Sequence, residues 1–133
     1  MGKYTVKRID ELESSFLGSY KRARAELGVS SFGMSVIELP PNIDAYPEHD
    51  HMHDGQEEVF VVLSGRATIE VDGDHIELDP DVMIRIAPEA KRKIATGEEP
   101  LRVLVLSGVP GGVYVPSENS KLGTPDPMAQ PQS

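Results

Sequence analysis

Between His49 and Gly65 the chain reads HDHMHDGQEEVFVVLSG: three histidines at alternate positions, then a carboxylate pair, then an apolar run that ends in a turn. Alternate residues on an extended backbone project to one side, so His49, His51 and His53 can present their imidazoles together. A bend at Asp54-Gly55 resets the face and lets Glu57 or Glu58 return toward the same point from the following strand. Two imidazoles and one carboxylate that converge in this way cap a divalent transition metal on three sides and leave positions open for water, oxygen or substrate. Residues two apart on a strand lie about 6.6 Å from each other and residues four apart about 13 Å. His49 and His53 therefore cannot share one ion without a bend, and the pair is either His51 with His53 or His49 with His51.

The elements that must hold these groups are short. From Ser31 the chain becomes a series of alternating or apolar runs separated by turn signals, the spacing of an all-β sandwich or barrel. Strands are predicted over Phe32 to Leu39, Ala45 to His53, Glu58 to Leu63, Ala67 to Val71, His75 to Leu78, Val82 to Ile86, Lys91 to Ala95 and Leu101 to Leu106. Asp72-Gly73 joins two of them as a tight hairpin. Residues 1 to 9 read as a lead-in strand, Glu11 to Leu17 as a helical turn capped by Asp10, and Tyr20 to Leu27 as a second short helical turn. The chain thus divides into an N-terminal lead-in (1–31), a β-barrel (32–107) and a Pro/Gly-rich C-terminal segment (108–133). Pro116 to Ser133 is too poor in apolar residues to form a core and is expected as a flexible tail or an arm across a neighbour.

Composition narrows the chemistry. One domain with a sizeable core fits 133 residues. With no cysteine, any metal must be held by nitrogen and oxygen. A formal charge of -9, from 22 acidic and 13 basic residues, disfavours a nucleic-acid backbone or an anionic membrane as the main partner and favours a small molecule or another protein. The chain lacks an apolar run of bilayer length, a signal-peptide core and a myristoylation pattern, so a cytoplasmic location is expected. Ser-His-Asp arrangements, phosphate-cradling Gly-rich loops and dinucleotide fingerprints are absent.

The run His51-Met52-His53, then Glu58, then Gly65 resembles the first motif of the cupin superfamily, and ATIEVDGDHIEL and DPDVMIRIAPEAKRK extend the resemblance over roughly residues 32 to 107. The resemblance implies a jelly-roll or double-stranded β-helix barrel, a central metal in many members, and frequent dimers. The second motif departs from the family pattern. Asp81 stands where the family has Gly, Ala87-Pro88-Glu89 stands at its turn, and Arg92 falls at the position of the last metal-binding His; anchoring on Pro88 instead places Lys93 there. Neither cation is a good ligand.

These features lead to an all-β jelly-roll barrel with short N-terminal helical turns that binds a small molecule. A divalent Mn, Fe, Ni or Zn ion is expected on His51, His53 and Glu58, with His49 as a further candidate ligand. Glu57 is the candidate proton-transfer carboxylate, as in an isomerase, epimerase or dioxygenase. The alternative is a metal-free module in which Arg92, with Arg85 as a second candidate, binds an anionic metabolite. A homodimer is expected, because apolar residues on both faces of VFVVL call for cover on both sides.

Overall fold

The computed structural model describes residues 2–44 and 46–128. A 3-10 turn at Ile9–Glu11 leads into two very short strands, β1 (Ser14–Ser15) and β2 (Tyr20–Lys21), and one helix, α1 (Ala23–Leu27). The barrel strands follow: β3 (Gly33–Leu39), β4 (Glu57–Ser64), β5 (Ala67–Val71), β6 (Asp74–Leu78), β7 (Met83–Ile86), β8 (Arg92–Thr96) and β9 (Leu101–Gly108). All pairings are antiparallel, in a larger sheet ordered β1-β2-β3-β9-β4-β7 and a smaller one ordered β6-β5-β8. This is the two-sheet β architecture expected from the alternating pattern, in the jelly-roll form that the family resemblance implies. No helix among the described residues is long and apolar enough to cross a membrane.

Alternation along each strand decides what faces inward. Ile37, Phe60, Val62, Val103 and Val105 of the larger sheet meet Ala67, Ile69, Leu78 and Ile94 of the smaller one in a single buried cluster. Each large apolar side chain buried there contributes about 1.5–3 kcal/mol. On the outside of β3, Leu12 and Ala23 close over Val36 in a second, smaller cluster. The outer face of β4 and β7 is only half covered, with Val59 and Val61 partly buried and Met83 71% exposed.

The predicted hairpin forms at Asp72-Gly73, where both residues have positive φ (48° and 90°), as a two-residue turn between paired strands requires. Other expectations are corrected. The lead-in over residues 2–8 forms no strand and pairs with none. The helical turn predicted for Glu11 to Leu17 is instead the 3-10 turn, β1 and a tight turn in which Phe16 and Leu17 adopt φ of 53° and 56°. Tyr20 and Lys21 pair with Ile37 and Val36 rather than joining the helix.

The predicted strand Ala45 to His53, whose first residue lies outside the described set, reduces to one β-bridge between His49 and Arg92. Two physical features stop it. Pro47 has no N–H to donate. Asp50 and Asp54 accept hydrogen bonds from the backbone N–H groups of Met52 and Gln56, and these local turns outcompete a ladder.

Gly65 ends β4 with φ +85°, and a Cβ there would collide with the backbone carbonyl oxygen of Pro100. Gly65→Ala is expected to lower stability by about 1–3 kcal/mol, read as a lower denaturation midpoint. An unchanged midpoint would contradict this account of the turn.

Candidate functional site

Glu58 and Arg92 come from different sheets and meet inside the barrel. Glu58 lies on the inward face of β4, between Ser107 of β9 and Ile86 of β7. Arg92 opens β8 and is 1% exposed. Its Nη1 donates to Glu58 Oε1 at 2.7 Å, and its Nη2 donates to the carbonyl oxygens of Ala87 (2.7 Å) and Ala90 (2.9 Å).

The histidine segment is attached to this pair through the backbone. His49 and Arg92 exchange both N–H···O bonds, at 3.0 and 2.8 Å, and the His51 N–H donates to Pro88 O at 2.8 Å. The chain then turns, with the N–H of Gly55 returning to His51 O. His49 and His51 thus face Glu58: one donor atom from each of the three lies within 4.8 Å of the others. His53 sits within that turn, exposed, with its ring stacked on that of His51 at 5.8 Å and its Nε2 3.4 Å from Asp54. A second group, His51, His53 and Asp54, meets the same distance limit nearer the surface.

His51 is held at both nitrogens. Its Nδ1 lies 3.1 Å from Asp54 Oδ2, and its Nε2 lies 3.4 Å from Glu58 Oε2. The Glu58 hydrogen bond, opposed by burial and helped by Asp54, raises its pKa above the ordinary histidine value. Burial pushes the Glu58 carboxyl up, but His51 and Arg92 together outweigh this and hold it below its usual range. Tyr46, 6.1 Å from the His49 ring, is pushed up to about 12 by burial first and by the Glu58 charge second.

This donor set fits a divalent ion. Two ligand atoms each about 2.1 Å from a tetrahedral centre are about 3.4 Å apart, which is the separation of His51 Nε2 and Glu58 Oε2. Asp54 on Nδ1 is the carboxylate that commonly fixes the free nitrogen of a metal-binding imidazole. Arg92 engages the other oxygen of Glu58 and does not occupy this gap.

Beside the cluster is a cavity of about 370 Å³ whose wall includes His49, His51, Asp54 and Glu58. Its far wall comes from the chain's two ends: Phe16 and Tyr20 on one side, Tyr114, Ser117, Asn119 and Ser120 on the other. Polar tethers join those ends. Buried Arg22 donates to Asn119 O and Thr124 O, both at 2.8 Å, and pairs with Glu13 at 2.6 Å. Asp126 accepts the N–H groups of Phe16 and Leu17 at 2.8 and 2.9 Å. The described part of the C-terminal segment, up to residue 128, therefore packs on its own chain.

The structure brings together His49, His51, Glu58 and Arg92. It places Glu57 and Arg85 elsewhere: they pair with each other at 2.9 Å on the outer face of the larger sheet. Arg92 is absent from the cavity wall, with Glu58 in front of it. Sequence reasoning missed Tyr46, Tyr20, Tyr114 and the serines of the C-terminal segment, because nothing in their spacing marks them. Only the tyrosine beside the first histidine was a usable signal.

A family model described as a cupin domain matches residues 35–107. No curated protein sequence matches the chain. Among solved structures, a cupin protein from Bacteroides fragilis aligns with a TM-score of 0.70 at 24% identity, covering 88% of this chain and 93% of that one. A cupin-superfamily sugar phosphate isomerase from Silicibacter pomeroyi aligns with 0.64 at 19% identity, covering 78% and 75%. The cupin domain of an XRE family transcriptional regulator from Enterobacter cloacae aligns with 0.54 at 26% identity, covering 62% and 86%.

Removing one partner of a buried ion pair strands the other charge. Arg92→Leu is expected to destabilise by about 3–5 kcal/mol, and the double change with Glu58→Leu by less than Arg92→Leu alone. A double-change loss equal to the sum of the two single losses in chemical denaturation would mean that the two side chains are not coupled.

Proposed function

The chain belongs to the cupin superfamily, and we propose that it is a small-molecule-binding cupin with a divalent-metal centre on His49, His51 and Glu58. One observation carries this reading: the three donor atoms lie within 4.8 Å of one another, in the wall of a cavity large enough for a small organic molecule. An Mn, Fe, Ni or Zn ion held by these three residues would supply Lewis-acid chemistry at a carbonyl or enolate, of the kind isomerases, epimerases and dioxygenases use. The chain's own groups prepare the site. Asp54 fixes the tautomer and tilt of His51, and Arg92 holds Glu58 Oε1 so that Oε2 faces the histidines. Tyr46, protonated at neutral pH, forms part of the wall beside them. His53, Glu57 and Arg85 stand outside this set.

A second reading is supported by the 2.7 Å Arg92–Glu58 pair, which already neutralises the carboxylate. In that reading the barrel is a metal-free binding module and the ion pair takes the metal's structural place.

We also propose a homodimer. The outer face of β4 and β7 is half bare, and the N-terminal segment presents Tyr4 and Val6, 84% and 80% exposed. The segment carries Lys3, Lys7 and Arg8 with no acid, whereas Asp79 and Asp81 precede β7, so segment and face are complementary in charge. The Glu57–Arg85 pair on that face can also exchange partners across a two-fold axis.

Two measurements test these readings. After reconstitution with Mn, Fe, Ni or Zn, elemental analysis is expected to find about one equivalent of metal, and His51→Ala to lose it, since two remaining ligands rarely retain an ion. Because the ion must displace a proton that His51 holds to higher pH than an ordinary histidine, uptake should weaken as pH falls through that raised pKa. Wild-type protein that stays metal-free leaves the ion-pair module as the reading. For the dimer, light scattering should give twice 14.5 kDa, with Met83→Asp and Tyr4→Asp each returning the mass to 14.5 kDa. A monomeric wild type would rule the dimer out.

A further inference from the structure

The cavity has a chemical character that its metal-type cluster does not set. Most of its polar wall is neutral, built from Tyr20, Tyr46, Tyr114, Ser35, Ser107 and Gln56 among others. Its two carboxylates, Asp54 and Glu58, belong to the cluster itself. No lysine or arginine lines it among the described residues, and none of the seven residues outside that set, Met1, Ala45 and residues 129–133, is a cation.

Three guanidinium groups adjoin wall residues from behind and are already engaged, Arg24 with Nη1 on Val29 O and Nη2 on Ser120 O. Arg92 lies behind Glu58 and donates to it and to two carbonyl oxygens. Arg22 lies behind the C-terminal wall, bound to Glu13, Asn119 and Thr124. Binding of a phosphate or a second carboxylate normally uses a guanidinium fork, an ammonium, or backbone N–H groups at a helix start. Among the described residues the one α-helix, α1, contributes no residue to the wall, and the 3-10 turn Glu118–Ser120 that does is a single turn whose Ser120 and Lys121 N–H groups already donate to the carbonyls of Ser117 and Glu118.

Resting on the metal-centred reading, we propose that the cavity takes an uncharged, oxygen-rich small molecule of the polyhydroxy or hydroxycarbonyl class and discriminates against its phosphate ester. Tyrosine and serine hydroxyls both donate and accept, so they match a ligand whose own groups are hydroxyls and carbonyls. A bound ion would add positive charge only at the cluster, where the reacting oxygen of the ligand belongs. A phosphate at the other end of the same molecule would lie against neutral hydroxyls, with no cation to replace its lost hydration.

The test uses full-length protein, metal-loaded and metal-free, titrated calorimetrically with pairs that differ only in a phosphate: glycerol and glycerol phosphate, dihydroxyacetone and its phosphate, a neutral hexose and its phosphate. In each pair that binds, the neutral member is expected to bind about tenfold or more tightly. Ser117→Arg, which adds a guanidinium at an exposed position of the rim, is expected to reverse that order without affecting the fold. A phosphate member that binds wild type as well as or better than its partner overturns the proposal, as does a panel in which no neutral member binds or a Ser117→Arg protein that leaves the order unchanged. Metal content is measured on the same samples. Protein that prefers neutral members without ever holding metal overturns the metal centre and leaves the ligand class standing; metal-loaded protein that prefers phosphates does the reverse.

Discussion

A guanidinium stays charged at any ordinary pH, so an arginine that is 1% exposed needs an acid at hand, and Arg92 has Glu58. The pair spans the two sheets of the barrel, since Glu58 belongs to β4 and Arg92 to β8. The same arginine organises the histidines. Its backbone pairs with His49, and its side chain ties down the carbonyls of Ala87 and Ala90, on either side of the Pro88 oxygen that receives the His51 N–H. One residue thus bears on all three candidate ligands: on Glu58 through its side chain, on His49 through its own backbone, and on His51 through the loop whose Pro88 carbonyl accepts the His51 N–H.

That arrangement bears on the departure from the family's second motif. Where the pattern calls for a histidine, a cation that cannot bind metal has moved behind the carboxylate. Glu58 keeps one oxygen for Arg92 and turns the other toward His51, while Asp54 takes the far nitrogen of that ring. His51 thus sits between two carboxylates, and the Glu58 hydrogen bond first, then Asp54, raise its pKa above the ordinary histidine value against the effect of burial. Burial pushes both carboxyls up, but His51 and Arg92 hold Glu58 below its ordinary range, and the Gln56 N–H followed by His51 does the same for Asp54.

Barrel strands were legible because their side chains alternate, and the Asp72-Gly73 turn because its dipeptide demands positive φ at both positions. The inward position of Arg92 was one of two registers, and alternation with Lys91 and Lys93 is what the structure displays. The histidine pairing was not legible, because it depends on where the chain leaves its extended course. Pro47 and the side chains of Asp50 and Asp54 decide that, through local bonds that compete with strand pairing. The far wall of the cavity was least visible. Its attachment runs through Arg22, Glu13 and Asp126, single polar contacts between positions about a hundred residues apart, and such contacts leave no periodic trace.

The tether between the two ends of the chain separates two properties that many small barrels must keep together. Residues 33–108 contain every barrel strand and the whole His51–Glu58 cluster, whereas Tyr114 to Ser120 contribute only wall. Part of the cavity wall, Tyr114 to Ser120 with Phe16 and Tyr20, therefore lies on polypeptide that carries none of the candidate ligands, while Ser35, Tyr46, Gln56 and Ser107 belong to the barrel stretch itself. During synthesis the candidate ligands can come together as soon as β9 has paired, and this part of the wall closes only afterward. A change in the segment after β9 would alter the wall there without touching the candidate ligands.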